Sequence, residues 1–214
     1  MLFRSNILAG TLNMTGTLGA TGSTSTIQIG AGTTVNYSGG TSSNTITGSG
    51  DIKNISGTLL FEGNHSGFNG TFEQNSSGNT QFNTSLSGSA SASYSLTNGE
   101  LIMAGTTGGP ADYTVQFGAL SSAGGKTIRG ANSSPSGNGT VTLEVGALGT
   151  DSTIAGSVSN GGAKVIALTK VGAGSLALGG SNSFTGGVTV SAGTLYINGA
   201  LSSAANAVAV NAGT

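Results

Sequence analysis

The sequence predicts an all-β solenoid, and three observations lead to it. The first is composition: among 214 residues there are 40 Gly, 31 Ser, 29 Thr and 18 Asn, more than half of the chain. Gly loses backbone entropy in a helix, and Ser, Thr and Asn bond back to the main chain in competing conformations, so a helical protein is excluded. The second is alternation. Val141-Thr142-Leu143-Glu144-Val145 puts three apolar side chains on one face and two polar ones on the other, the period of a half-buried strand. Ile27/Ile29, Val35/Tyr37, Leu59/Phe61, Leu176/Leu178, Val188/Val190, Leu195/Ile197 and Val208/Val210 repeat it, with Gly-, Ser- and Asn-rich turns between them. The third is translation of those pairs along the chain. Leu176/Leu178 recur as Leu195/Ile197 after 19 residues, and Val188/Val190 recur as Val208/Val210 after 20. Upstream, Ile27 to Ile46, Val35 to Ile55, Phe61 to Phe82 and Phe82 to Ile102 keep steps of 19 to 21.

A repeat of about 20 residues made of short strands reads as one coil of a stack, each coil laid about 4.8 Å from the next. The chain accommodates about ten such coils around a narrow, aliphatic interior. Gly and Asn suit the corners; Ser, Thr and Asn suit the stacked outer faces. A sandwich or a propeller gives no reason for paired apolar positions to shift together by 20. Disorder is disfavoured too, because Leu, Ile, Val and Phe number 17, 11, 11 and 7 while the net charge is only −1. Residues 1–214 read as a single β-helical unit. Within it, Ser85–Ser95 reads as a loop or weakly packed coil, and Gly130–Gly139, with one of two prolines, as a surface loop.

Charge and cysteine content narrow the function. Six Lys and Arg give no cationic cluster for phosphate, so no nucleic-acid partner is expected. No apolar run approaches the length of a membrane span, and the first residues lack the apolar core of a signal peptide. With zero Cys there are no disulfides, thiolate metal sites or thiol nucleophiles. Val210-Asn-Ala-Gly-Thr214 breaks off inside the pattern, so the chain reads as a piece of a longer polypeptide.

The segment from Leu168 to Ile197, LTKVGAGSLALGGSNSFTGGVTVSAGTLYI, resembles the autotransporter-associated β-strand repeat, also called the passenger-associated transport repeat. The match runs through Lys170, Gly172, Gly174, Leu176, Leu178, Gly180, Asn182, Phe184, Gly186, Val190, Gly193 and Leu195. A weaker copy starts at Gly57 and extends to Phe82, sharing Gly57, Leu59, Phe61, Gly63, Phe68 and Gly70 but lacking the Leu-Thr-Lys lead-in. The resemblance implies a right-handed, single-stranded parallel β-helix from the passenger of a Gram-negative autotransporter-like protein. It implies export across the outer membrane to the cell surface or exterior. The implied partners are further coils of the same chain and a C-terminal outer-membrane barrel outside this sequence. The repeat defines no catalytic residue; the resemblance implies a role in passenger export and folding, and the segment is expected to support display of an adhesive region.

Read for chemistry, the residues point the same way. Glu62 and Glu73, half a coil apart, fall on different faces, whereas Asp151 and Lys170, 19 apart, are candidates to stack. A polysaccharide-cleaving site needs two carboxylates on one face. The sole histidine, His65, reads as a solvated turn residue and, without Cys or a second His, supports no metal site. Lys170 reads as a corner lysine with its stem on the coil and its ammonium in water. Phe184 and Phe68 read as core plugs in matching places. No catalytic, cofactor or metal residue is expected, and the chain reads as non-enzymatic. The alternatives are an adhesin surface for glycans or host matrix, a polysaccharide-cleaving β-helix, and an ice-binding face built on Thr24/Thr26 and Thr140/Thr142.

Overall fold

The computed structural model describes residues 4–17, 25–103, 112–131, 138–162, 164–201 and 208–211. Every described residue in regular structure is in a strand or bridge, and every strand pairing is parallel. The strands sort into three sides of one winding. The first side holds Arg4–Ile7, Thr26–Ile29, Thr45–Gly48, the start of Tyr113–Ser122, Gly139–Val145, Lys164–Lys170, Val188–Val190 and Val208–Val210. Between Gly48 and Phe117 it is carried by Phe68, bridged to Gly48, and by Ser89, paired with Phe117. The second side runs from Thr11–Met14 through Thr34–Tyr37, Asp51–Asn54, Thr71–Gln74 and the ends of Ser89–Leu96 and Tyr113–Ser122. It continues through Ser152–Ile154 and Ser175–Leu178 to Thr194–Ile197. The third side stacks Gly40–Ser42, Leu59–Phe61, Asn79–Phe82, Glu100–Ile102, Thr127–Arg129 and Ser157–Ser159, then Ser181–Asn182 and Ala200–Leu201.

The fold is therefore the parallel β-solenoid that the sequence predicts. The number of coils needs correcting: there are about eight turns of roughly 22 residues rather than ten of 20. The difference comes from the middle of the stack, where Ser89 to Phe117 and Phe117 to Val145 are each 28 residues and Val145 to Lys170 is 25. At both ends the step stays near 20, as for Ile27 on Ile46 and Leu168 on Val188.

The strongest periodic pairs stack as expected. Leu176 and Leu178 lie on Leu195 and Ile197, Val188 and Val190 on Val208 and Val210, and Phe61 on Phe82. Two single matches do not. Val35 pairs with Ile52, and Ile55 is exposed at the following corner; Ile102 pairs with Gln81, one residue away from Phe82. A lone apolar residue marks a face only when its alternating partner moves with it. Ser85–Ser95 is also corrected. Ser89–Leu96 is a strand, with a register shift between Ser89 and Ser93, and from Ala92 onward its small polar residues alternate with buried Ala92, Tyr94 and Leu96. Of the Gly130–Gly139 stretch, residues 132–137 lie outside the described residues, and Gly139 already starts a strand.

The interior is not uniformly aliphatic. Tyr37, Phe61, Phe72, Phe82, Tyr94 and Phe117 form a continuous inner column, with successive ring centroids 4.8–6.4 Å apart and mostly edge-to-face. Nine of the ten described Phe and Tyr are buried, so a scarcity of aromatics in the composition does not mean a scarcity in the core. From Val141 onward Val, Leu and Ile take over, with Phe184 as the single buried ring of the described C-terminal turns.

Candidate functional site

The turn that opens with Leu168 shows how a polar residue enters this core. In Lys164–Lys170 the inward positions are Lys164, Ile166, Leu168 and Lys170, and all four are buried. Lys170 comes last, where the first side bends into the second. Gly172 follows with φ of 69°, a left-handed conformation that turns carbonyls toward the interior. A Cβ on Gly172 would lie 1.9 Å from the Gly146 carbonyl oxygen of the turn before, so only Gly fits this corner. One turn later Gly193 repeats the conformation with φ of 68°.

The Lys170 ammonium occupies the pocket that these glycines leave. Nζ donates to the carbonyls of Val171 at 2.6 Å, Gly172 at 2.8 Å and Ala192 at 3.3 Å. Three N–H donors thus meet three carbonyls, two from its own turn and one from the next. Burial lowers its pKa, and the Asp151 charge opposes that shift. The solvated-ammonium reading is overturned: the stem packs inward and the head is sealed at 0 % exposure. Asp151 does not stack on Lys170. It is exposed, its carboxylate accepts the Ser175 N–H at 2.8 Å, and that bond leads in holding its pKa low. Lys170 stacks instead between Val145 and Val190.

Asn182 does the same job at the third side. Its Oδ1 accepts the Val158 N–H at 3.0 Å, and its Nδ2 donates to the Gly180 carbonyl at 2.8 Å and the Ala200 carbonyl at 3.2 Å. One buried amide therefore joins three consecutive turns. Phe184 is fully buried and belongs to the same core cluster as Leu176 and Leu178. Gly174, Gly180 and Gly186 lie flush against the preceding turn's backbone; Leu176 and Leu178 point inward, with Leu195 packed more loosely above.

The weaker copy is a local likeness only. Leu59 and Phe61 are on the third side, whereas Leu176 and Leu178 are on the second. Phe68 shares its column with Gly48 and Ser89, which leads through Phe117 to Lys170 and not to Phe184. The two stretches thus enter the winding one side out of phase.

Sequence reasoning missed further buried polar groups. Lys164 is buried with its Nζ 5.6 Å above the Tyr113 ring, and burial lowers its pKa against the pull of Asp112. Asn54 donates to Gln74 at 2.9 Å, and Gln74 accepts from Thr80 at 2.6 Å, a ladder where the second side bends into the third. His65, read as solvated, is 3 % exposed. Its Nδ1 lies 3.1 Å from the Ser87 carbonyl and its ring 4.5 Å from Phe61, while Nε2 has no hydrogen-bond partner. Burial lowers its pKa to about 4, with the Ser87 and Asn44 backbones pulling the other way. The signal was available: Lys164, Lys170, Asn54 and Gln74 all fall in phase with inward apolar neighbours.

The seven carboxylates do not converge. Asp51 accepts from Thr71, Asp112 from the Thr140 N–H, Glu62 from Ser43 and Glu144 from Gln116, each partner one turn away. Glu73 pairs with Lys53 at 3.2 Å and Glu100 with Arg129 at 2.6 Å. Glu62 and Glu73 lie on different sides, as their spacing predicts. Among the described residues no group of three His, Cys, Asp or Glu is placed to hold a metal. Thr140 and Thr142 stack on Val165 and Ala167, so no threonine ladder continues there; Thr24 lies outside the described residues.

The passenger-associated-transport-repeat family matches residues 168–197, the stretch that holds Lys170, Asn182 and Phe184. That segment is similar to the passenger-associated transport repeat. That repeat and the solenoid around it fit an autotransporter passenger domain, and the repeat family points to a secreted or surface-exposed protein. No curated protein and no solved structure matches the chain. The passenger-associated transport repeat spans about one and a half turns here, from Leu168 on the first side to Ile197 on the second.

Proposed function

We propose that this segment is a non-enzymatic structural part of a surface-displayed passenger, which supports its export and folding and holds an adhesive region away from the cell. The observation that carries this is the pair of buried staples, Lys170 and Asn182, each of which bonds main chain of its own turn and of a neighbouring turn. Such contacts let a turn that has just emerged lock onto the turn already folded, since each turn meets only its neighbours. The engagement of each carboxylate with an adjacent turn supports a scaffold over a glycan-cleaving groove. Export through a C-terminal outer-membrane barrel belongs to the same proposal.

The register defines a clean test. Leu168 pairs with Val188, so deleting residues 168–187 from the full protein removes one whole turn and rejoins the first side in phase. Thr71 pairs with Ser93, so deleting residues 71–92 removes one turn that lacks the repeat. Surface display and protease resistance should fall after the first deletion and survive the second. Equal display from both deletions and the intact protein defeats the proposal.

A further inference from the structure

Five Asn-Gly pairs lie along the chain, at Asn69, Asn98, Asn138, Asn160 and Asn198, and the fold treats two of them in opposite ways. Asn160 is clamped. Its Oδ1 accepts the N–H groups of Ile166 at 2.9 Å and Thr185 at 3.2 Å, and its Nδ2 donates to Thr185 Oγ1 at 2.8 Å. Asn98 is held by its backbone instead, its N–H and that of Thr97 both donating to the Gln74 carbonyl at 3.0 Å. Its side-chain oxygen receives the N–H of its own successor, Gly99, at 3.0 Å and the ammonium of Lys126, one turn further on, also at 3.0 Å. The carboxamide therefore lies between a cation and the backbone nitrogen that follows it.

We propose that Asn98 is a self-modification site, converting in the folded protein to an aspartate paired with Lys126. The Gly99 N–H gives its proton to hydroxide and the nitrogen attacks the Asn98 side-chain carbonyl carbon. Negative charge develops on Oδ1, where the Lys126 ammonium already donates a hydrogen bond. The bond from that carbon to Nδ2 then breaks, Nδ2 takes up a proton from water, and ammonia leaves a five-membered imide. Water adds to the side-chain carbonyl of the imide, the bond to the Gly99 nitrogen breaks, and a carboxylate remains; no oxidant or cofactor enters. Opening the other way would lengthen the main chain by one carbon at a corner with no space for it: a Cβ on Gly99 would already lie 2.0 Å from the Gly78 carbonyl oxygen. The product turns the amide–ammonium contact into an ion pair between two turns, next to the Glu100–Arg129 pair on the same side.

The test ages the intact 214-residue chain at mildly alkaline pH and follows each Asn-Gly peptide by mass spectrometry for replacement of the amide NH2 by OH. Asn98 should convert about ten-fold faster than Asn160, and Lys126→Met should slow Asn98 by about ten-fold while leaving Asn160 unchanged. The wild-type comparison stands without the variant. An intact Asn98, a rate no higher than that of Asn160, an isoaspartate product, or a rate indifferent to Lys126→Met would each overturn the proposal.

Discussion

Lys170→Met is expected to cost about 3 kcal/mol or more in the C-terminal turns, although it removes one of the few charges of the chain and fills the same volume. The reason is the state of the acceptors left behind. The Val171, Gly172 and Ala192 carbonyls face the corner and receive the three donors of Nζ. A buried polar group stripped of its partner costs about 1–3 kcal/mol, and relief from burying the ammonium offsets only part of three such losses. Because a solenoid opens locally, the effect should be read by hydrogen exchange and limited proteolysis between Val165 and Val190, not from a single melting midpoint. Glu73→Ala is the control. It breaks the Lys53–Glu73 pair, which is 40 % and 25 % exposed and is worth about 0–1 kcal/mol. Equal protection of the repeat in both variants would remove Lys170 from its role as a staple.

Acid should loosen the middle of the stack through His65. In the fold this imidazole stays neutral down to about pH 4, whereas in the unfolded chain it takes up a proton near 6.5. Between those values the unfolded state binds the extra proton, so stability is complete above pH 6.5 and falls as the pH drops toward 4. The shift corresponds to about 3 kcal/mol. The groups around the ring, Phe61, Phe68, Phe72, Tyr94 and the Ser87 carbonyl, include no carboxylate to hold a charged imidazole. Urea unfolding at about pH 7 and about pH 4.5 should show a steeper loss in the wild type than in His65→Gln. Parallel pH slopes in the two proteins would refute a buried neutral histidine.

Two features of the sequence carried most of the fold. Alternation located the strands, and the shared translation of pairs such as Leu176/Leu178 and Val188/Val190 stacked them, because side-chain direction in a strand has a period of two and a parallel stack must repeat it in register. Single matches were weaker guides: Val35 took Ile52 and not Ile55. The likeness of 57–82 to the repeat was real as a local strand pattern, yet strand pattern carries no information on which side of the winding it lands.

The sequence by itself determined that the chain is all-β, that its turns stack at about 20-residue steps at either end, and that Leu168–Ile197 is the distinctive coil. Phase with inward apolar neighbours marked Lys170 as an inward position, but tertiary structure alone decided which partners the polar residues find there. Lys170, Asn182 and His65 look like corner or turn residues one at a time, and the usual cost of burial argues for water around each. Corners reverse that balance for the first two, at Lys170 with the help of left-handed Gly172 and Gly193, because backbone groups of the same and adjacent turns converge there and supply the partners that water would have given. The cross-turn partners among them, Ala192 for Lys170 and Val158 and Ala200 for Asn182, lie about twenty residues away along the chain, beyond the reach of any local pattern.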